Sequence, residues 1–209
     1  MVKPVVGIFV AAVLYFIVAY LNGFFAVNSI DKEPNMPPLY DRLYQIIPRI
    51  SRTWPDDLLI ALILYFFIRW WFSNIVILEH FFIIMTVIFA LRVVCFMVTE
   101  EPPPVKGCEK RREGEPTKGF FEMMREIFYA RSCSDLMFSG HASFTVLIMM
   151  YTFYYSNYSL EKMIISVLCF VELVLIIAGR LHYSSDVIVG ATITVLTFYS
   201  WQHIGLPWM

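Results

Sequence analysis

Two short stretches hold the residue types that can move a phosphoryl group: Ser139-Gly140-His141 and His182-Tyr183-Ser184-Ser185-Asp186. An imidazole nitrogen can attack phosphorus and form a phosphoenzyme. A second imidazole then gives a proton to the leaving alkoxide and later removes one from the acceptor. A carboxylate beside the attacking ring holds its tautomer and stabilises its charged form. His182 and Asp186 have the i, i+4 spacing that places both on one helical face if that helix starts early enough. Arg180 adds positive charge just before His182. The chemistry needs two histidines and one acid, and no metal or other cofactor.

Neither stretch decides the matter alone. A histidine at a membrane interface is commonly an amphipathic side chain with no further role, and His-x-x-x-Asp arises by chance. The chain has only 4 histidines, however, and His80 and His203 stand near the ends of apolar runs with no comparable partners, which reads as structural. Function therefore concentrates on His141 and His182.

The elements that must position them are membrane helices. The 209 residues are 59% hydrophobic, 17% aromatic and only 16% charged, with a mean hydropathy of +0.66; this is too apolar for an ordinary soluble domain. A span needs about 20 apolar residues. Val5–Val27, Ile75–Val98, Gly140–Tyr155, Met163–Gly179 and Val187–His203 meet or approach that length. A shorter run, Leu58–Phe72, carries Arg69, Trp70 and Trp71, side chains suited to an interface. The reading is an all-α, polytopic bundle of about six transmembrane helices, one domain over residues 1–209. Val5–Val27 follows Lys3 like a secretory signal, but its apolar core is too long and Ala26-Val27-Asn28 is a poor cleavage site, so it reads as a span.

With six helices, the connections after the first, third and fifth share one side. Both histidines then fall at one membrane face, beside helix N-termini whose free N–H groups attract phosphate. Two longer connections, Asn28–Asp57 and Thr99–Ser139, are too short to be domains. Within the second, Gly119–Arg131 has the spacing of an amphipathic helix, lying either on the bilayer or on the bundle. A net charge of −1 with no basic stripe argues against nucleic acid. The 4 cysteines show neither a disulfide framework nor zinc-ligand spacing.

The motifs resemble those of the sphingomyelin synthase family, sphingolipid synthases of the type 2 phosphatidic acid phosphatase superfamily. The family's Cys-Gly-Asp followed by Ser-Gly-His is similar to Cys133-Ser134-Asp135 and Ser139-Gly140-His141, with Ser134 in place of glycine. Its His-Tyr-Thr-x-Asp is similar to the stretch from His182 to Asp186, with Ser184 in place of threonine. Arg92, followed by Val98-Thr99 and Pro102, is similar to a block that ends the family's third helix, and Pro38-Leu39-Tyr40-Asp41 loosely resembles its first block. The resemblance runs from about Pro37 to His203, with a catalytic core over about residues 92–203.

By this resemblance His141, His182 and Asp186 are the catalytic triad, with His182 the nucleophile. Arg92, Asp135, Ser139 and Arg180 belong at the substrate. The implied reaction moves a phosphate-linked head group from a glycerophospholipid to the primary hydroxyl of ceramide and releases diacylglycerol. The alternative is a lipid phosphate phosphatase, with water as acceptor on the same phosphohistidine. The phosphatase branch, however, has a Lys-x6-Arg-Pro block and an arginine six residues before its final histidine, and neither is found here. Arg180-Leu181-His182 is closer to the Ser-Arg-x-His-Tyr-Thr of inositol-phosphoryl members, with Gly179 in place of the serine; choline, ethanolamine and inositol all stay open as head groups. A non-enzymatic lipid-binding protein is a third class, and a transporter fits less well because the polar groups gather at one face and not at mid-membrane.

Two charges fall inside apolar runs, where an unpaired charge costs at least ~2.5 kcal/mol. Arg92 is expected to touch the lipid phosphate or else to pair with Glu172, and Glu172 is expected to be paired or neutral. For orientation, Lys106, Lys110, Arg111, Arg112, Lys118, Arg125 and Arg131 outnumber Lys3, Arg69 and Lys162 on the other side. Counted literally, these put the active site in the cytoplasm. The family implies a lumenal or extracytoplasmic site in the Golgi or plasma membrane, and that expectation is followed here.

Overall fold

The computed structural model describes residues 2–28, 37–99, 101–104 and 137–204. Among these the chain is all-helical: α1 (Val2–Asn28), α2 (Leu43–Ile46), α3 (Thr53–Ser73), α4 (Val76–Val98), α5 (Gly140–Tyr155), α6 (Ser159–Ala178) and α7 (Ser184–His203). The six long helices coincide with the six apolar runs, including the short one, which lies within α3. That helix starts earlier than the hydropathy indicates because Pro55 sits in its first turn, where no backbone N–H is required. Among the described residues two stretches, Val6–Phe25 and Val76–Val98, are long and apolar enough to cross a membrane. The amphipathic stretch Gly119–Arg131 lies outside the described residues.

α1 runs beside α4 in the same direction. Near one end Gly7 lies against the Glu79 carboxylate, leaving no room for a Cβ; near the other, the Asn22 amide donates to the Phe89 carbonyl at 2.7 Å. The centre is aromatic. Phe66 of α3 and Phe81 of α4 have ring centroids 4.7 Å apart, and Tyr151 of α5 meets Phe198 of α7 edge-on at 5.1 Å. All four rings are buried. This packing fixes the ends of the helices relative to one another: the starts of α3, α5 and α7 and the ends of α4 and α6 gather at one end of the bundle.

Candidate active site

His141 is the second residue of α5, and the turn before it is held from three sides. Ser139 caps the helix, its hydroxyl accepting from the Ala142 amide at 3.1 Å, as a serine N-cap does. The Ser139 amide donates to the Asp186 carbonyl at 3.0 Å, tying the start of α5 to the start of α7. Gly190 makes that approach possible, since a Cβ there would lie 2.7 Å from the Ser139 carbonyl oxygen. Below the turn, Arg92 donates from Nε to the Phe138 carbonyl at 2.9 Å, and its guanidinium lies 4.9 Å from the Phe96 ring centroid. Phe138 itself takes a φ of 35°, a left-handed conformation that a bulky residue adopts only when its surroundings enforce it. Ser139, expected at the substrate, is wholly buried and serves as a cap.

The two imidazoles come together, with ring centroids 6.2 Å apart. His141 also meets a carboxylate that the sequence reading passed over: its Nε2 lies 2.9 Å from Asp56 Oδ1, in the first turn of α3. An ionised carboxylate only accepts, so Nε2 carries the proton and the other ring nitrogen, Nδ1, is left for chemistry. This is the relation of orienting acid to imidazole that nucleophilic triads use. Asp56 is 85 positions from His141 in sequence. The signal that points to it is topological: Trp54-Pro55-Asp56-Asp57 starts a helix on the same side as the histidines.

Asp186 behaves differently from expectation. α7 begins at Ser184, with Tyr183 as its N-cap, so His182 precedes the helix and does not share a helical face with Asp186. The Asp186 carboxylate accepts instead from the Tyr183 amide at 3.0 Å, bending the chain just after His182. The Tyr44 hydroxyl donates to the His182 carbonyl at 2.8 Å. The peptide group between His182 and Tyr183 is thus held at both its carbonyl and its amide, with the His182 side chain buried. Asp186 lies just ahead of the apolar stretch that follows it, and burial, helped by the charge of Glu101, pushes its carboxyl up to about 7 against the opposing pull of the Tyr183 amide and Arg92.

The N-terminus of α7 is not open to a phosphate either. Asp41 occupies it, accepting from the Ser184 amide at 2.6 Å and from the Ser184 hydroxyl and the Leu43 amide at 2.9 Å each. The Tyr183 hydroxyl accepts from the Leu39 amide at 3.0 Å and donates to the Pro102 carbonyl at 2.9 Å. Burial raises both Tyr44 and Tyr183, which keeps them as O–H donors. Three connections are thereby bound into one rim around the histidines.

Arg180, expected at the substrate, is a brace in that rim. Its Nη1 donates to Ile177 O at 3.0 Å, and its Nη2 donates to Tyr44 O at 2.8 Å and Ile47 O at 2.9 Å. The guanidinium lies 3.9 Å from the Tyr44 ring centroid, and the residue's φ of 55° is held by those bonds. Asp135 lies outside the described residues. Glu172 does not pair with Arg92: it is wholly buried, and neither carboxylate oxygen has a hydrogen-bond partner among the described residues. Those residues also contain no group of three or more His, Cys, Asp or Glu arranged to hold a metal.

The family model described as PAP2 superfamily C-terminal matches residues 132–204, the stretch that contains His141, His182 and Asp186. That stretch is similar to the C-terminal part of the PAP2 superfamily. Over 121 residues, 52% of this chain and 36% of the relative, the sequence is 31% identical to a phosphatidylinositol:ceramide inositolphosphotransferase of Oryza sativa subsp. indica. It is 30% identical over 120 residues to phosphatidylinositol:ceramide inositolphosphotransferase 3 of Arabidopsis thaliana, covering 53% of this chain and 40% of the relative. A phosphatidylethanolamine:ceramide ethanolaminephosphotransferase of Trypanosoma brucei brucei is 33% identical over 81 residues, 36% of this chain and 25% of the relative. These matches span between a quarter (25%) and two fifths (40%) of the relatives' length. The resemblance to sphingolipid synthases read from the motifs holds.

Proposed function

We propose that this chain is a membrane-embedded transferase that moves a phosphate-linked head group from a glycerophospholipid to ceramide and releases diacylglycerol. The observation that carries the reading is the meeting of His141 and His182, 6.2 Å apart, with Asp56 on the first ring, at one end of an apolar helical bundle. Similarity to ceramide phosphotransferases supplies the substrate class.

In this reading the six long helices are spans. Their outward residues are large and apolar along the whole bundle, as with Phe9, Leu64, Val94, Phe170 and Leu196, each more than half exposed. Such a surface suits lipid and not water. α5 is roughly 24 Å long at 1.5 Å per residue, which sets His141 near the depth of phospholipid head groups. We place that face on the lumenal or extracytoplasmic side of the Golgi or plasma membrane.

The chemistry follows from the two rings. A nitrogen of His182 attacks phosphorus, the P–O bond to the glyceride breaks, and His141, protonated, gives its proton to the departing oxygen. Diacylglycerol leaves. His141, now neutral, takes the proton from the ceramide hydroxyl; the oxygen attacks phosphorus, the P–N bond breaks, and His182 is restored. Asp56 orients His141 and stabilises its charged form through the cycle, while Asp186 positions His182 through the Tyr183 turn.

The test is lipid analysis after incubating purified protein with labelled ceramide and phosphatidylinositol, phosphatidylethanolamine or phosphatidylcholine in turn. Labelled phosphosphingolipid is the expected product from at least one donor. Absence of product from all three, with phosphate released from lipid phosphates, would make the chain a phosphatase.

A further inference from the structure

The end of the bundle opposite the histidines carries a cleft that the transfer reaction does not use. It lies between the end of α3 and the start of α6, with a volume of about 460 Å³. Arg69 stands on the same helix as Asp56 and 13 positions further on, which is roughly 20 Å along the axis. Leu160, Ile164 and Ile165 form the apolar wall, and Arg69 and Tyr158 stand beside it.

Arg69 is held in a particular way. Its Nε donates to Glu161 at 2.8 Å, and its guanidinium lies 5.0 Å from the Trp70 ring centroid and 5.8 Å from that of Tyr158. Its two terminal nitrogens bond to no described residue. Glu161 is saturated from elsewhere as well, by the hydroxyls of Tyr65 and Ser156. The carboxylate therefore fixes the arginine by one edge and leaves the other edge, with its fork of N–H donors, uncommitted. Such a fork matches the oxygens of a phosphodiester. Arginine, tyrosine and tryptophan together are also the side chains that settle at a membrane interface.

We propose that this cleft binds a zwitterionic glycerophospholipid, its phosphate on the terminal nitrogens of Arg69 and one acyl chain along Leu160, Ile164 and Ile165. The proposal rests on the reading of the six helices as spans. Arg69 and Glu161 sum to zero charge, so a lipid that is itself neutral overall leaves no excess charge in the cleft. The exposed Tyr158 ring offers a face for the head group's ammonium. The site is separate from the histidines and belongs to the other leaflet.

The test uses purified full-length protein in nanodiscs with a phosphatidylcholine carrying a diazirine in its acyl chain, and a diacylglycerol with the same chains as the phosphate-free control. Cross-linked peptides are mapped by mass spectrometry. Phosphatidylcholine is expected to label residues 158–165, and the diacylglycerol roughly tenfold less, the factor that about one charge-assisted hydrogen bond supplies. Arg69→Gln should lower the phosphatidylcholine labelling by a similar factor. Ile164→Trp should block it without touching the Arg69–Glu161 pair, and His182→Ala should leave it unchanged. Equal labelling by both lipids, or by wild type and Arg69→Gln, overturns the site. Carbonate extraction of the same protein reads the spans separately: a chain released by carbonate overturns the spanning reading and this site with it, whereas an embedded chain labelled indifferently overturns this site alone.

Discussion

Replacing Asp56 by asparagine tests the contact on which the proposed proton chemistry depends. The bond to His141 is 2.9 Å long, and the two side chains are 20% and 25% exposed, so water screens it partly. A charge-assisted hydrogen bond contributes about 1.5–3 kcal/mol, and partial exposure argues for the lower half of that range, or roughly 10- to 30-fold in rate. Asparagine does more than weaken the bond. Its amide N–H₂ faces Nε2 as a donor, which drives the ring proton to Nδ1 and removes the lone pair from the nitrogen that must exchange protons. In a fully buried triad the wrong tautomer costs about 10⁴. Asp56→Asn is therefore expected to lower kcat by about 10²- to 10³-fold, with KM for both lipids little changed because Asp56 acts through His141. Initial rates with labelled short-chain ceramide in mixed micelles measure this. Asp57→Asn, at the exposed neighbouring position, is the control and should stay within about twofold. A folded Asp56→Asn protein that turns over at the wild-type rate would show that the carboxylate does no more than hold the start of α3.

Three further outcomes follow from the same geometry. His182→Ala should abolish turnover while His141→Ala slows both diacylglycerol release and product formation, and rapid-quench experiments without ceramide should show a diacylglycerol burst in wild type; release that depends strictly on ceramide would remove the phosphohistidine step. Gly190→Ala places a methyl 2.7 Å from the Ser139 carbonyl, so α7 must shift, at a cost of about 1–3 kcal/mol read from denaturation, with activity lost alongside; unchanged stability would mean that the α5–α7 contact is looser than described. Because burial raises Asp186 from 3.8 to about 7, its contribution to stability is full below about pH 4 and is lost as pH rises through about 7. Asp186→Asn, which can still accept from the Tyr183 amide, should flatten that decline and keep measurable activity, and an unaltered pH profile of unfolding would refute the assignment.

Helices were legible as long apolar runs, and their number set the parity that brings His141 and His182 to one end. The contacts made by their neighbours were not. Asp186 lies four residues from His182, but sequence spacing does not tell where a helix starts, and the cap at Tyr183 turns an expected side-chain pair into a backbone contact. Asp56 was hidden for the opposite reason: its partner is distant in sequence, and only the packing of α3 against α5 makes them neighbours. Arg180 looked like a substrate residue because charge beside a histidine suggests a phosphate, and the resemblance to sphingolipid synthases added Ser139 and Arg92. The bends that present the histidines contain backbone groups that need partners, and these three side chains supply them.

The commitment of Arg180 and Asp41 to the rim bears on how a phosphate is stabilised. With both terminal nitrogens of Arg180 on carbonyls and the start of α7 taken by a carboxylate, those donors are committed to the rim. In the proposed cycle the roles of the two imidazoles differ: attack requires one neutral ring, and protonation of the leaving oxygen requires one charged ring. The competent state of that cycle thus holds a single proton between His141 and His182 beyond the neutral pair, and Asp56, bonded to His141, orients a ring that carries it. A ring so charged supplies both the proton and the electrostatic stabilisation of the transition state. The rate of transfer should therefore fall on both sides of a pH optimum: at low pH as the second ring takes a proton and the nucleophile is lost, and at high pH as His141 gives its proton up. A rate that stayed flat across that range would refute the exchange of a proton between the two rings.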